Sequence, residues 1–338
     1  MPPVVSVILP VYNSEKYIVQ AINSILDQSF KDFELLVFDD ASNDNTLTLM
    51  EQVKDERFRL VRKEKNTGYT QSLIKGVHMS AGKYIARMDS DDWSDPDRLR
   101  LQVEFLERNP EVGIVGTSAQ TFSDKGEGAL WTYPESDEDI RTFMLADSPF
   151  AHPSVMMRKS VLDAFQLNYD HTYEPCEDYK LWSELLKKTK GANLPGALLK
   201  YRLHQNQTIQ TRKERLIGIS NLIRREVFQN EFGIQLDGHQ LETHYDYFND
   251  FRSSSLERIE KMYKWRNYLL TCSRKSRISM SFKNLIHRYW LRHLCTINEF
   301  RPTVIRFLID AHVLRNLPTR TLFAFIIKSL VFHRVRSS

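Results

Sequence analysis

The 338-residue sequence predicts an α/β fold, with a mostly parallel sheet flanked by helices and a basic, all-helical C-terminal region. Three observations carry this expectation. Short apolar runs alternate with helical stripes over the first hundred residues, polar clusters fall just after the strands, and the last quarter is rich in Arg and Lys. Alternation with short connections implies parallel strands joined by right-handed crossovers, with helices on both faces.

The elements follow in order. Val4-Val5-Ser6-Val7-Ile8-Leu9, ending at Pro10, has the composition of a strand buried on both faces. Ile18, Ala21, Ile22, Ile25 and Leu26 then form one apolar stripe at helical spacing, with Asn13 or Ser14 as the expected cap. Residues 34–38 are the next strand, closed by Asp39-Asp40. Asn43-Asp44-Asn45-Thr46 opens a second helix through Val53, 58–61 is a third strand, and 70–80 a third helix. A fourth apolar run, Lys83-Tyr84-Ile85-Ala86-Arg87-Met88, leads into an acidic stretch. Asp95-Pro96 should start another helix, Asp95 as cap and Pro96 at the first position, with Leu99, Val103 and Leu106 facing inward. Beyond residue 110 the order is less regular, with strands expected at 113–117, 154–158 and 198–203 and a helix over 177–188. After Thr208 the pattern is helical, as in Leu285, Tyr289, Leu291, Leu294 and Ile297, which places a domain boundary near residue 210: domain 1–210, then a helical domain 211–338.

The net charge of +4 conceals an asymmetry. Residues 251–338 hold 18 Lys and Arg against 4 Asp and Glu, and residues 1–250 hold 29 against 39. The basic block seeks an anionic surface. Nucleic acid is not expected, since no zinc finger, RNA-binding signature or helix-turn-helix accompanies the charge. Anionic lipid is the stronger partner. Residues 322–332 form an apolar run of eleven residues containing Lys328, too short for the roughly 20 residues a membrane span needs, but suited to the interface. The alternative is a core helix, or a helix pairing with a second copy of the chain in a homo-oligomer. Three cysteines, Cys176, Cys272 and Cys295, are too few and irregular for a disulfide framework, which favours a reducing compartment. No secretory signal is visible, so a cytoplasmic protein is expected, peripheral on the membrane's inner face if the basic block binds lipid.

Asp89-Ser90-Asp91-Asp92 places three carboxylates within four residues after a strand. Such crowded carboxylates suit a shared Mg²⁺ or Mn²⁺ that keeps positions open for phosphate; a solvated acidic turn is the alternative. In parallel sheets the ligand crevice lies at the carboxyl ends of the strands. Pro10-Val11-Tyr12-Asn13, Asp39-Asp40 and the acidic run all fall there. No GxGxxG follows the first strand, which disfavours an ordinary dinucleotide fold.

The chain order Val-Ser-Val-Ile-Leu-Pro-Val-Tyr-Asn (5–13), Asp39-Asp40-Ala41-Ser42 with Asp44 and Thr46, Asn66-Thr67-Gly68, then Asp89-Ser90-Asp91-Asp92 closely resembles family 2 nucleotide-sugar glycosyltransferases. The likeness covers about residues 4–210 and includes Ala151-His152-Pro153-Ser154, Glu177-Asp178 before Leu181-Trp182, and Tyr201-Arg202-Leu203-His204. It implies a GT-A fold, a divalent metal (Mn²⁺ or Mg²⁺), a nucleotide-diphosphate sugar donor and inversion at the anomeric carbon. Two departures stand out. Ile74 occupies a position where many members carry Asn, and no Gln-x-x-Arg-Trp sequence or chain of transmembrane helices follows Glu177-Asp178, unlike in polymer-extruding synthases. The resemblance is thus to a non-processive transferase adding single or few residues.

On this resemblance the expected donor-binding residues are Pro10, Tyr12, Asn13, Asp40, Asn66, Asp89, Asp92 and His152. Asp40 is the candidate for the nucleotide base, because a carboxylate accepts from the N3–H of uracil, which favours UDP over CDP and leaves GDP open; a turn aspartate is the alternative. Pro10 would shape the strand exit, Tyr12 could lie against the base or in the core, and His152 would stand near the sugar or acceptor. Asp91 is the expected metal ligand. Asp89 would serve the ribose or the metal through water, a role open to Asp92 as well, and His204 is either a further metal or phosphate contact or a structural histidine. Asp178 is the expected general base, since inverting displacement requires removal of the acceptor hydroxyl proton; helix-initiating acids are the alternative for Glu177-Asp178. Cys176, adjoining them, reads as a buried thiol. The expected function is transfer of a sugar from a nucleotide-diphosphate sugar, a UDP-sugar foremost, to a hydroxyl of a glycan or lipid-linked acceptor in cell-surface polysaccharide biosynthesis. A sugar-phosphate nucleotidyltransferase would show a Gly-rich, basic loop after the first strand, and a non-catalytic binder would not need the acids at 91 and 178.

Overall fold

A computed structural model describes residues 2–204, 213–251, 255–274 and 278–295. The apolar run 322–332 lies outside the described residues. The chain divides into two compact units, Met1–Val227 and Phe228–Ser338.

The first unit is built on one sheet of nine strands in the order β3-β2-β1-β4-β8-β6-β9-β5, with β7 paired to β6. β1 (Val5–Val11), β2 (Phe33–Asp39), β3 (Phe58–Arg62) and β4 (Tyr84–Arg87) are mutually parallel, as the βα alternation requires. The direction changes beyond β4. β8 (Met156–Arg158) runs antiparallel to both β4 and β6 (Val112–Ser123), β9 (Lys190–Arg202) pairs parallel with β6, and the two-residue β5 (Trp93–Ser94) pairs antiparallel with β9.

Period-two alternation sorts the strand side chains between two cores. Val5, Val7, Leu9 and Val11 of β1 pack with α1 (Ile18–Leu26), α2 (Thr46–Met50) and α4 (Arg98–Arg108), while Ile8, with Leu36, Phe38 and Ile85, packs on the opposite side with α3 (Tyr69–Met79). That second core also takes in α5 (Asp137–Phe143), α6 (Lys159–Phe165) and α7 (Glu177–Leu185). Burying a Val, Leu or Ile side chain is worth about 1.5–3 kcal/mol, so a strand buried along its whole length, as β1 and β2 are, fixes its register firmly.

Two helix starts differ from expectation. α1 is capped at Tyr17 without a side-chain hydrogen bond, because Asn13 and Ser14 are engaged elsewhere. α4 begins at Arg98, after a turn in which Asp95 Oδ1 accepts from Asp97 N at 2.9 Å. β7 (Gly126–Trp131), β5, α5 and α6 were not foreseen.

α8 (Lys213–Phe232) crosses the division between units. Leu216, Ile219, Ile223 and Val227 join the second core, Arg224 Nε donates to Ala146 O at 2.7 Å, and Lys180 pairs with Glu226. This packing belongs to the first unit, which runs through Val227. The second unit contains α9 (Gly238–Asn249), α10 (Leu256–Ser273) and α11 (Ser279–Cys295). Phe282, Leu285, Ile286, Trp290 and Leu294 of α11 are buried at helical spacing. Among the described residues no helix is long and apolar enough to cross a membrane.

Candidate active site

The carboxyl ends of β1, β2 and β4 open into a cavity of about 1000 Å³. Pro10, Tyr12, Asn13, Asp40, Asn66, Asp89, Asp91, His152, Asp178 and His204 all lie on its wall. Asp92 does not; it is 1 % exposed, and its Oδ1 accepts from the backbone N of Arg202 at 2.8 Å.

The loops after β1 and β2 brace one another. Asn13, at φ +49°, donates its N–H to Ser42 Oγ and accepts from Asn43 N at 2.9 Å, while Ser14 N donates to Thr46 Oγ1. Asn13 therefore ties two loops together instead of capping α1. Ser14 Oγ lies 2.7 Å from Ser90 Oγ, extending the brace to the acidic run. Tyr12 stays 45 % exposed at the cavity mouth, which removes the core alternative for it.

Asp40 is buried in a nest of donors. Thr67 N and Lys63 Nζ each reach its Oδ1 at 2.9 Å, and Gly68 N reaches Oδ2 at 2.8 Å. Gly68 holds φ +89°, a conformation that suits glycine and turns its N–H toward the carboxylate. A carboxylate has about four acceptor sites, so capacity remains on Oδ2 for one further donor. Asn66 Oδ1 also accepts from Gly68 N at 3.1 Å, stiffening the same loop.

The acidic run is positioned by a short piece of sheet. Pairing of Trp93 with Lys200 and Ser94 with Leu199 sets the end of β9 beside residues 91 and 92. Arg202 Nε donates to Asp91 O at 2.7 Å, and its guanidinium lies 4.4 Å from the Tyr17 ring centroid and 4.3 Å from that of Phe122. His204 Nε2 then lies 2.8 Å from Asp91 Oδ2. Arg87 Nη2 pairs with Asp89 Oδ1 at 2.5 Å. Burial pushes the Asp89 and Asp92 carboxyls above the usual carboxylate range, against the pull of Arg87. One carboxylate oxygen from each of Asp89, Asp91 and Asp92 lies within 4.8 Å of the others, and Asp92 Oδ2 has no hydrogen-bond partner. Clustered hard oxygens with an adjacent imidazole fit a divalent cation.

Another part of the wall is made by the start of α7. Glu177 and Asp178 occupy its first turn, where the helix dipole favours negative charge. Glu177 is 1 % exposed; Tyr69 Oη donates to its Oε1, and its Oε2 has no hydrogen-bond partner. Burial, with the Asp178 charge beside it, raises the Glu177 carboxyl well above its usual range. Burial also pushes Asp178 up, to about 6. His152 Nδ1 stands 4.0 Å from Glu177 Oε1, and its Nε2 shares a 3.0 Å hydrogen bond with Tyr169 Oη. Burial holds this imidazole well below its ordinary pKa, hence neutral. Burial likewise pushes the Cys176 thiol far up, which fits an unreactive sulfur.

Sequence reasoning missed Arg87, Tyr69 and the aromatic residues Trp131, Tyr133 and Tyr17, all on the cavity wall. For Arg87 a signal existed: one charged residue inside an apolar strand, directly ahead of the acidic run.

The family described as "Glycosyl transferase family 2" matches residues 6–165. An uncharacterized glycosyltransferase of Haemophilus influenzae is 34 % identical over 248 residues, covering 69 % of this chain and 77 % of the relative. The amylovoran biosynthesis glycosyltransferase AmsE of Erwinia amylovora is 31 % identical over 202 residues, covering 58 % and 75 %. Among solved structures, S. aureus TarS 1–349 in complex with UDP-GlcNAc superimposes with a TM-score of 0.55 at 19 % identity, covering 88 % of this chain and 89 % of that one; this likeness speaks for the fold. The chain belongs to glycosyltransferase family 2 and has the GT-A fold.

Proposed function

We propose that this family 2 glycosyltransferase moves a sugar, with inversion, from a UDP-sugar to a hydroxyl of a cell-surface glycan, in a metal-dependent and non-processive reaction. The observation that carries the reading is the placement of Asp40, Asp91 and Asp178 on the wall of one cavity. The reading requires a single activated sugar to touch all three.

Asp40, through its remaining acceptor capacity, takes the base. Asp91, with His204 and Asp89, holds the divalent ion, and Asp92 fixes the end of β9 from behind. When bound, the ion neutralises charge on the leaving diphosphate. Asp178 accepts the proton of the attacking hydroxyl, and its raised pKa suits a base working near neutrality. Neutral His152 lines the sugar side and stays available as a hydrogen-bond partner without adding charge. The relative named for amylovoran biosynthesis supports a surface polysaccharide as acceptor. The basic excess of residues 251–338 supports contact with an anionic membrane, where lipid-linked acceptors reside. Flotation with anionic liposomes checks that contact; recovery of all protein in the soluble fraction would remove it.

The principal experiment is a screen of UDP- and GDP-sugars for Mn²⁺-dependent nucleotide release, with donor binding measured alongside. A UDP-sugar that binds and releases UDP supports the reading. Absence of binding by every nucleotide and nucleotide sugar would overturn it.

A further inference from the structure

β7 is an exposed arm that ends on an aromatic residue of the cavity wall. Residues 126–130 are all exposed, and Trp131, the last of the strand, is half-buried and lines the cavity. Trp131 pairs with Ala119 of β6, and Ala119 in turn pairs with Leu199 of β9, two residues before Tyr201 and so on the same face of the sheet. Ala119, 0 % exposed, contributes only a methyl group at this crossing. The Trp131 and Tyr201 rings meet there, with centroids 4.9 Å apart and planes at 41°.

The polar ends of this pair are open. Among the described residues neither Trp131 Nε1 nor Tyr201 Oη has a hydrogen-bond partner, and neither atom is sealed in the interior as the indole N–H of Trp182 is. A broad ring surface with an accessible N–H or O–H at its edge suits a pyranose, whose C–H face packs on the ring while a hydroxyl takes the hydrogen bond.

Position says which sugar this is. Arg202, next to Tyr201, donates its backbone N–H to Asp92 Oδ1 at 2.8 Å, and His204 Nε2 lies 2.8 Å from Asp91 Oδ2. The pair is therefore within about 10 Å of chain of the acidic run, at about 3.3 Å per extended residue. Asp40 is remote, since β1, β4 and β8 stand between β2 and β6, about 19 Å measured along the sheet. That separation leaves the nucleotide base elsewhere. Between the transferred ring and the accepting one, exposure decides. His152, read above as lining the sugar side, has a side chain only 11 % exposed, whereas Trp131 continues directly into the exposed arm. A glycan longer than one sugar needs such an exit, and a transferred monosaccharide does not. At about 1000 Å³ the cavity lies at the upper end of the usual range of about 300–1,000 Å³ for a small-molecule site, with room for part of an acceptor beside the donor.

We propose that Trp131 and Tyr201 form an acceptor subsite, on which a pyranose ring of the accepting glycan stacks. The inference rests on the glycosyl-transfer reading above and adds the class of acceptor, a sugar ring in place of an acyclic polyol.

The test is saturation-transfer NMR on the full chain with Mg²⁺ and UDP or GDP, irradiating the aromatic protons of the protein. The probes are the methyl pyranosides of glucose, galactose, N-acetylglucosamine, mannose and rhamnose, with sorbitol as the acyclic polyol. Binding of UDP, GDP, UDP-glucose, UDP-N-acetylglucosamine and GDP-mannose is measured alongside by calorimetry. Wild type should pass saturation to the ring C–H protons of at least one pyranoside and not to sorbitol. Trp131→Ala should weaken that pyranoside about tenfold and Trp131→Phe by less than about threefold, while both bind nucleotide and donor as wild type does. Parallel losses for donor and pyranoside would place the pair on the donor and overturn the inference. Unchanged pyranoside affinity in Trp131→Ala would also overturn it, as would wild type binding a nucleotide or donor but no pyranoside of the set, or binding sorbitol equally well. Thermal unfolding identifies a variant that fails to fold, in which case the wild-type contrast between pyranosides and sorbitol decides. Wild type binding neither nucleotide nor nucleotide sugar would instead remove the glycosyl-transfer reading itself.

Discussion

Two groups of carboxylates gather at one cavity, and they differ in their company. Asp89 and Asp91 each have a basic partner, Arg87 and His204, and Asp92 is tied to the Arg202 backbone. Glu177 has a tyrosine hydroxyl and a neutral histidine, and Asp178 has the amide of its own helix turn. The lesson is chemical. Burial pushes Asp89 and Asp92 up as it does Glu177 and Asp178, so what separates the groups is their company. Clustered oxygens beside basic partners suit a metal, whereas Glu177 and Asp178 suit taking up a proton. One fold thereby supplies two acid-base environments within one cavity.

The sharpest way to break this division is Asp178→Asn. Transfer should fall about 10³-fold while donor binding stays near wild type, measured by product formation and calorimetry. Near-normal transfer with donor binding intact would show that the proton goes elsewhere. Asp91→Asn should cost about 10²-fold in kcat/KM and, unlike the first variant, weaken Mn²⁺-dependent donor binding as well. Chelation of wild type should reproduce that loss, reversed on adding Mn²⁺. His204→Ala should weaken apparent Mn²⁺ affinity by about tenfold, leaving the rate at saturating metal close to wild type.

The pH profile sharpens the same contrast. Asp178, raised to about 6, is the active base only when deprotonated, so kcat should fall as pH drops through about 6. An ordinary aspartate would keep working to about pH 4. Tyr69→Phe has the smallest expected effect. It removes the hydrogen bond that favours ionised Glu177, but Glu177, raised to about 8, is already protonated where Asp178 titrates, so the acid limb should stay where it is in wild type.

How much of this was legible in the sequence follows from physical signal strength. β1 and β2 are buried along their whole length, so their composition alone marked them, and the polar residues that follow could be placed at one sheet edge. β5 is two residues long, and β7 is largely exposed, so neither carries a hydrophobic pattern. Without β5 the pairing that brings His204 to Asp91 could not be derived, and the sequence offered His204 only as a metal or phosphate contact or a structural histidine. Asn13 had the right residue type for a cap, but its side chain found a tertiary partner in the next loop. The buried face of Glu177 was hidden too, because an acid in the first turn of a helix is ordinarily solvated. Family likeness ordered the motifs, and the fold then gathered residues from 10 to 204 around one cavity.

The most direct measurement is a crystal structure of the protein with Mn²⁺ and a non-hydrolysable UDP-sugar, read by the anomalous signal of the metal. The expected result is a Mn²⁺ peak about 2.0–2.2 Å from an Asp91 carboxylate oxygen and from the diphosphate, with Asp178 on the far side of the anomeric carbon. A metal bound away from Asp91, or Asp178 on the same side of that carbon as the phosphate, would contradict the division of labour between the two groups.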